Sequence, residues 1–222
     1  MHAVGGRRPF LVDIAVMRGA FFTRYGPEAG GHFEHACTAC LKTRRPDDVR
    51  AVLAAHYDAF RPTNLAEAYF GENSPDLHPL DQLSPFDRFL PWIPLIRKIA
   101  GHDGQGNQSF GPVTSEKLAM ETERLTSLLN SLIRSGYHPE GFSQGLISGY
   151  FLIRDDQFRF LITEGMHRAA ALSAMGISTI RVGIARKRPH IADTADAANW
   201  PHVRSGFCSR DLALRIAGRY FN

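Results

Sequence analysis

The sequence predicts an α+β fold, a small mixed-sheet core carrying a largely helical and irregular N-terminal extension. Three observations carry this. From Thr114 to Ala185 the apolar spacing changes period in the order helix, strand, strand, helix, strand. Before residue 108 helical spacing survives only in patches between breakers. Prolines at 62, 75, 79, 85, 91 and 94 exclude a continuous helix or a central strand from that stretch. The division is therefore placed at residues 1–108, an extension packed on the core, and 109–222, the core with a C-terminal helix.

In chain order, Asp47 to Phe60 is the clearest helix of the first part, with Val49, Val52, Leu53, His56, Tyr57 and Phe60 at helical spacing and Pro62 closing it. Pro62 to Pro94 reads as an ordered meander, because Phe70, Leu77, Leu80, Phe86, Phe89, Leu90 and Trp92 supply too much apolar surface for a solvated linker. Thr114 to Ser135 is a helix: Leu125, Leu128, Leu129, Leu132 and Ile133 form one stripe, and Gly136 stands at the C-cap. Leu146 to Ile153 and Phe158 to Ile162 are strands joined by the turn Arg154-Asp155-Asp156-Gln157. A helix resumes at Met166 and stops at Gly176, Thr179 to Ala185 alternates as a half-buried strand, and Ser209 caps a last helix from Arg210 to Tyr220.

Composition bounds the function. The chain has 222 residues and a net charge of +4, with no block of five or six basic residues. That balance suits a small anionic ligand better than a nucleic-acid duplex, so DNA is not an expected partner. No run of about 18 apolar residues spans a membrane, Asp13 and Arg18 interrupt the apolar stretch near the N-terminus, and three cysteines make no disulfide framework. A cytoplasmic location is the expectation.

The chemistry is expected at the strand-to-helix turn Thr163 to Arg168. The first N–H groups of a helix lack internal partners and sit at the positive end of its dipole. Gly165 would let a phosphate approach the backbone, Arg168 would add a charge-assisted clamp and His167 a second donor. The plain alternative is a glycine turn with a surface arginine and a capping Glu164.

The run Phe160-Leu161-Ile162-Thr163-Glu164-Gly165-Met166-His167-Arg168-Ala169-Ala170-Ala171-Leu172, followed by Met175-Gly176 and Ile180-Arg181-Val182, resembles the ParB/sulfiredoxin superfamily. There a strand enters a G-x-x-R or D-G-x-H-R turn, an alanine-rich helix, a glycine and a short strand. Leu125 to Tyr137 and Gly145 to Gly149 resemble its preceding helix and strand, so the likeness covers roughly residues 114 to 185. Met166 stands where sulfiredoxins need a cysteine, which removes their thiolate chemistry. Only Arg186 to Asn222 follows, too short for the basic module of the partition proteins. The small-molecule kinase branch fits best.

That resemblance implies a nucleotide-dependent phosphotransferase using ATP or ADP with Mg²⁺ on a hydroxyl of a small metabolite. Glu164, Gly165, Met166, His167 and Arg168 would hold the phosphates, with Glu164 also placed to hold Mg²⁺ or simply to cap the helix. Glu121 would be the base, with Glu116 and Glu123 as substitutes, acting beside His167 and Arg168. Arg124, Arg134 and His138 would bind an anionic acceptor. The rival is a non-catalytic nucleotide-binding regulatory module. His32, His35, Cys37 and Cys40 hold four zinc-capable side chains in nine residues, but their spacing fits no standard finger and equally fits helical thiols on one face. No stoichiometric metal is expected. Trp92 and Trp200, each beside a proline, are expected to seal extension to core, and Cys208 to be a small buried residue.

Overall fold

The computed structural model describes residues 9–26, 30–72, 74–96, 104–139, 145–186 and 188–222. The fold is α+β around a mixed sheet. Strands β1 (Phe10–Asp13), β2 (Met17–Arg18), β5 (Ile147–Arg154), β6 (Gln157–Glu164), β7 (Thr179–Ile184) and β8 (Ile191–Asp193) build it, while β3 (Arg88–Leu90) and β4 (Ile93–Ile96) form a separate hairpin. The path runs β1-β7-β5-β6-β2. β5 and β6 pair antiparallel, β7 lies parallel to β5 along Ile147–Gly149, and β8 continues on the same edge along Phe151–Ile153.

Side chains alternate along these strands and build two cores. Ile147, Phe160, Ile162, Ile180 and Val182 face a helical layer of α1 (His32–Thr43), α2 (Pro46–Ala59), α4 (Ser115–Ser135) and α5 (Met166–Ala174). Tyr150, Leu152 and Leu161 face the other way, against α3 (Leu65–Phe70), the irregular segment through Trp92, and α7 (Arg210–Arg219), with the short α6 (Pro201–Arg204) nearby. The alanines 169, 170 and 171 are buried, which brings α5 close to the sheet.

The helix ends follow local chemistry. Thr114 caps α4 by accepting from the Lys117 amide, and Ser209 caps α7 through the Leu212 amide. Gly136 follows α4 at φ 73°, a conformation that suits glycine. Inside β5, Gly149 is required for packing: a Cβ there would lie 2.1 Å from the Leu161 carbonyl oxygen of β6.

The first part is not an appendage. Residues 10–18 supply β1, antiparallel to β7, and β2, parallel to β6, which are the two ends of the main sheet. α1 and α2 share one core with α4 and α5. A boundary at residue 108 therefore cuts through the sheet. The reason it looked like one is physical: four- and two-residue strands have no room for a legible alternation. Among the described residues no helix is long and apolar enough to cross a membrane.

Candidate functional site

The turn at the end of β6 has the conformation that glycine permits. Gly165 caps α5 in the left-handed region at φ 94°. The space its missing side chain leaves is occupied, since a Cβ would lie 2.9 Å from Arg168 Nη2 and 3.0 Å from Ile147 Cγ1. A phosphate in this gap would have to displace the Arg168 guanidinium, so the gap is not open as the sequence suggested. Arg168 itself is only 5% exposed and donates to the Gly145 carbonyl at the entry to β5. Burial lowers its pKa, with Tyr137 and Glu164 partly offsetting. It is a strut between turn and strand rather than an open clamp.

The expected partners Glu121 and His167 do meet. His167 Nε2 lies 2.9 Å from Glu121 Oε2, and Lys117 Nζ lies 2.8 Å from Glu121 Oε1. Glu121 is fully buried, and the His167 ring packs at 4.2 Å on Phe33. Burial alone would raise the Glu121 carboxyl, but the bonds from His167 and Lys117 outweigh it and hold the group at about 2. A carboxylate so held is a weak base and has no access to an acceptor, which corrects its assignment as catalytic base.

The remaining expected residues do not converge. Glu116, Glu123, Arg124, Arg134 and His138 are exposed. Arg134 lies thirteen residues beyond Glu121 on α4, roughly 20 Å along the axis. Glu164 is exposed and accepts a 3.3 Å hydrogen bond from Ser148 Oγ. Glu164 offers a single carboxylate beside a hydroxyl, so it could hold Mg²⁺ only together with waters and the phosphates of a bound nucleotide. Among the described residues no group of three His, Cys, Asp or Glu converges to hold a metal ion. His32, His35, Cys37 and Cys40 lie on α1, where Phe33, Ala36, Cys37 and Cys40 form the buried stripe and His35 faces out. Burial pushes the Cys37 thiol up to about 12, far from a reactive thiolate.

The largest concavity beside the turn lies on the other face of the sheet. A pocket of about 260 Å³ is walled by Phe21, Tyr69, Phe86, Phe89, Tyr150 and Tyr220. Its polar groups come from Asp87, Asn107, Ser109, Thr163 and Arg188, and Met166 at the first position of α5 completes the lining. Met166 Sδ accepts from the Ala20 amide at 3.5 Å, tying the turn to the opposite wall. Trp92 donates to the Tyr150 hydroxyl at 3.0 Å and packs edge-on against Trp200 at 5.0 Å, so both tryptophans buttress this layer. Burial raises the Tyr150 phenol to about 12, so it stays protonated at neutral pH.

A half-buried histidine pair braces the pocket from behind. His32 and His56 stack with ring centroids 3.9 Å apart and planes within 1°. His32 Nε2 bonds the Gln108 carbonyl at 2.9 Å and His56 Nε2 the Ser109 carbonyl at 2.8 Å, while Tyr57 Oη donates to Gln108 at 3.1 Å. Burial first, then the neighbouring His56, lowers His32 to about 3. The pair is neutral.

Of the residues lining this pocket, the turn expected from sequence contributes Thr163 and Met166, and the other walls were not anticipated. The available signal was the excess of aromatic side chains around Pro85-Phe86-Asp87, too many for surface loops. Comparison of the chain with family models, curated proteins and solved structures found no match, so the reading of the site rests on its own geometry.

Proposed function

We propose that the chain is a nucleotide-dependent phosphotransferase whose ligand enters the aromatic pocket with its phosphate end at the start of α5. The observation that carries this is shared lining: Thr163 and Met166 belong both to the β6–α5 turn and to the pocket. The likeness of that turn to the ParB/sulfiredoxin superfamily supports the same ligand class. Aromatic walls suit a stacked base, and the helix start and Arg188 suit its phosphates. Asp87 replaces Glu121 as the base, being the one carboxylate among the described residues of the lining. It would take the proton from the acceptor hydroxyl as that oxygen bonds to phosphorus and the nucleotide leaves. A metal would arrive with the phosphates, and no step is assigned to it.

The test is a thermal-shift screen of ADP, ATP, CTP and pyrophosphate, each with and without Mg²⁺. A ligand at a hundredfold excess over Kd stabilises by about 2.7 kcal/mol. Active ligands then go with a metabolite pool for mass spectrometry, where a new phosphorylated species is expected. The second reading, a non-catalytic nucleotide-binding module, is favoured by one observation: Glu121 is buried and held by Lys117 and His167. Tight nucleotide binding with no product from any pool would establish it in place of the enzyme.

A further inference from the structure

Four arginines from three strands and a loop gather where α7 ends. Arg18 lies on β2, Arg159 on β6, Arg154 closes β5, and Arg24 is bridged to the Arg18 backbone. Arg18 is 3% exposed; its Nε donates to the Tyr220 carbonyl at 2.9 Å, and its Nη1 to those of Ala15 and Met17 at 2.8 Å each. Arg159 Nη2 donates to the Phe221 carbonyl at 3.2 Å and Nη1 to that of Phe158 at 2.8 Å. The guanidinium carbons of Arg154 and Arg159 stand 4.3 and 4.8 Å from the centroid of the Phe221 ring.

Part of this is helix capping. The C-terminal end of α7 carries roughly half a negative charge, and the Phe221 face attracts cations. Together these account for Arg18 and Arg159, not for four charges. The ion pairs formed among the described residues include none of the four. After burial, Arg159 and Arg24 depress Arg18, and Arg154 and Arg24 depress Arg159. Arg159 Nε is buried with no acceptor among the described residues. Arg18 and Arg159 spend most of their donors on backbone carbonyls, but the charge of the cluster, Arg159 Nε and the guanidinium groups of Arg24 and Arg154 are left for something that is not part of the fold.

We infer that Arg18, Arg24, Arg154 and Arg159 form a binding site for a small multivalent oxyanion of the phosphate class, separate from the aromatic pocket. Buried Arg18 and half-buried Arg159 fix the floor, while exposed Arg24 and half-buried Arg154 close on the ligand. Planar guanidinium groups match phosphate oxygens in bidentate geometry, and several of them around one point select for more than one negative charge.

The probe is inorganic pyrophosphate, titrated calorimetrically into the full chain in low-salt chloride buffer. The unaltered chain is compared with Arg24→Gln/Arg154→Gln and with Arg188→Gln, which alters only the pocket. Neither Arg24 nor Arg154 makes a side-chain hydrogen bond or ion pair to a described residue, so the double variant should fold. Relief of repulsion should raise its melting temperature in chloride alone. Pyrophosphate should bind Arg188→Gln with unchanged affinity at this site and bind the double variant at least tenfold more weakly. The site is overturned if the double variant retains full affinity, if Arg188→Gln removes all binding, or if pyrophosphate does not bind. Binding of a nucleic-acid duplex without pyrophosphate binding would also overturn it, in favour of a backbone-tracking surface.

Discussion

Glu121 and His167 stand 46 residues apart in the chain and 2.9 Å apart in the fold, joined inside the helical layer rather than in the pocket. With Lys117 on the other oxygen, the pair locks α4 to the first turn of α5. The turn that lines the pocket through Met166 is thus held from behind through the next residue along the chain.

Acid should break this lock. The folded-state pKa of Glu121 is depressed to about 2, so its contribution is present above the unfolded value near 4.5 and lost as pH falls toward 2. The shift corresponds to about 3 kcal/mol. Urea titrations at pH 5, 4 and 3 should show the unaltered chain losing stability more steeply than Glu121→Gln. At pH 6 that variant should already be less stable, since truncating one partner of a buried pair strands the other. Parallel acid limbs for the two proteins would refute the lock.

A second limb begins at higher pH. His32 is lowered to about 3 and His56 is lowered too, both chiefly by burial. The unfolded chain therefore binds protons that the folded chain excludes, and stability present above about 6.5 falls as pH drops below it. His32→Asn should flatten the slope between pH 6.5 and 5, a window in which Glu121 does not titrate. Melting temperatures across that range provide the check. The stacked pair, which holds the Gln108 and Ser109 carbonyls, stays neutral in the folded chain across that range, so ligand affinity of the folded pocket should stay unchanged between pH 6.5 and 5 while stability falls.

The turn itself makes a prediction about stability. Gly165→Ala forces a side chain into the left-handed region at a cost of about 1–2 kcal/mol, and its Cβ meets Arg168 and Ile147. Arg168→Ala removes a buried charged hydrogen bond worth about 2 kcal/mol. Because Arg168 occupies the space beside Gly165, the two changes should cost less together than their sum. A double-mutant cycle by chemical denaturation measures this, and strict additivity would separate the two residues.

Much of the second half of the chain was legible because its signals are local. Apolar spacing and the caps Gly136 and Ser209 located α4 and α7, and the alternating runs located β5, β6 and β7. The adjacency of Glu121 to the turn was also anticipated. Its chemistry was not, because a carboxylate at helical spacing looks the same whether it faces solvent or Lys117 and His167. Arg168 was misread for the same reason: sequence gives its position one turn into α5, not the Gly145 carbonyl that draws it inward. β1 and β2 were illegible because their pairing is fixed by partners some 140 to 170 residues away.

The pocket decides between catalysis and sensing, and Asp87 is the residue on which the decision turns. Its carboxylate accepts from the Ser84 amide at 3.0 Å, which fixes the loop while leaving the side chain on the pocket lining. Asp87→Asn preserves shape and removes the base. If the chain transfers phosphate, this change should lower kcat at least a hundredfold, within the usual contribution of a general base, while nucleotide affinity stays within about threefold. Phe86→Ala should do the reverse, weakening nucleotide binding by on the order of tenfold through lost stacking with little effect on kcat at saturation. Initial rates by coupled assay and affinities by calorimetry separate the two patterns. Full turnover in Asp87→Asn would remove Asp87 as the base. Unchanged nucleotide affinity in Phe86→Ala would place the base-stacking surface elsewhere in the chain.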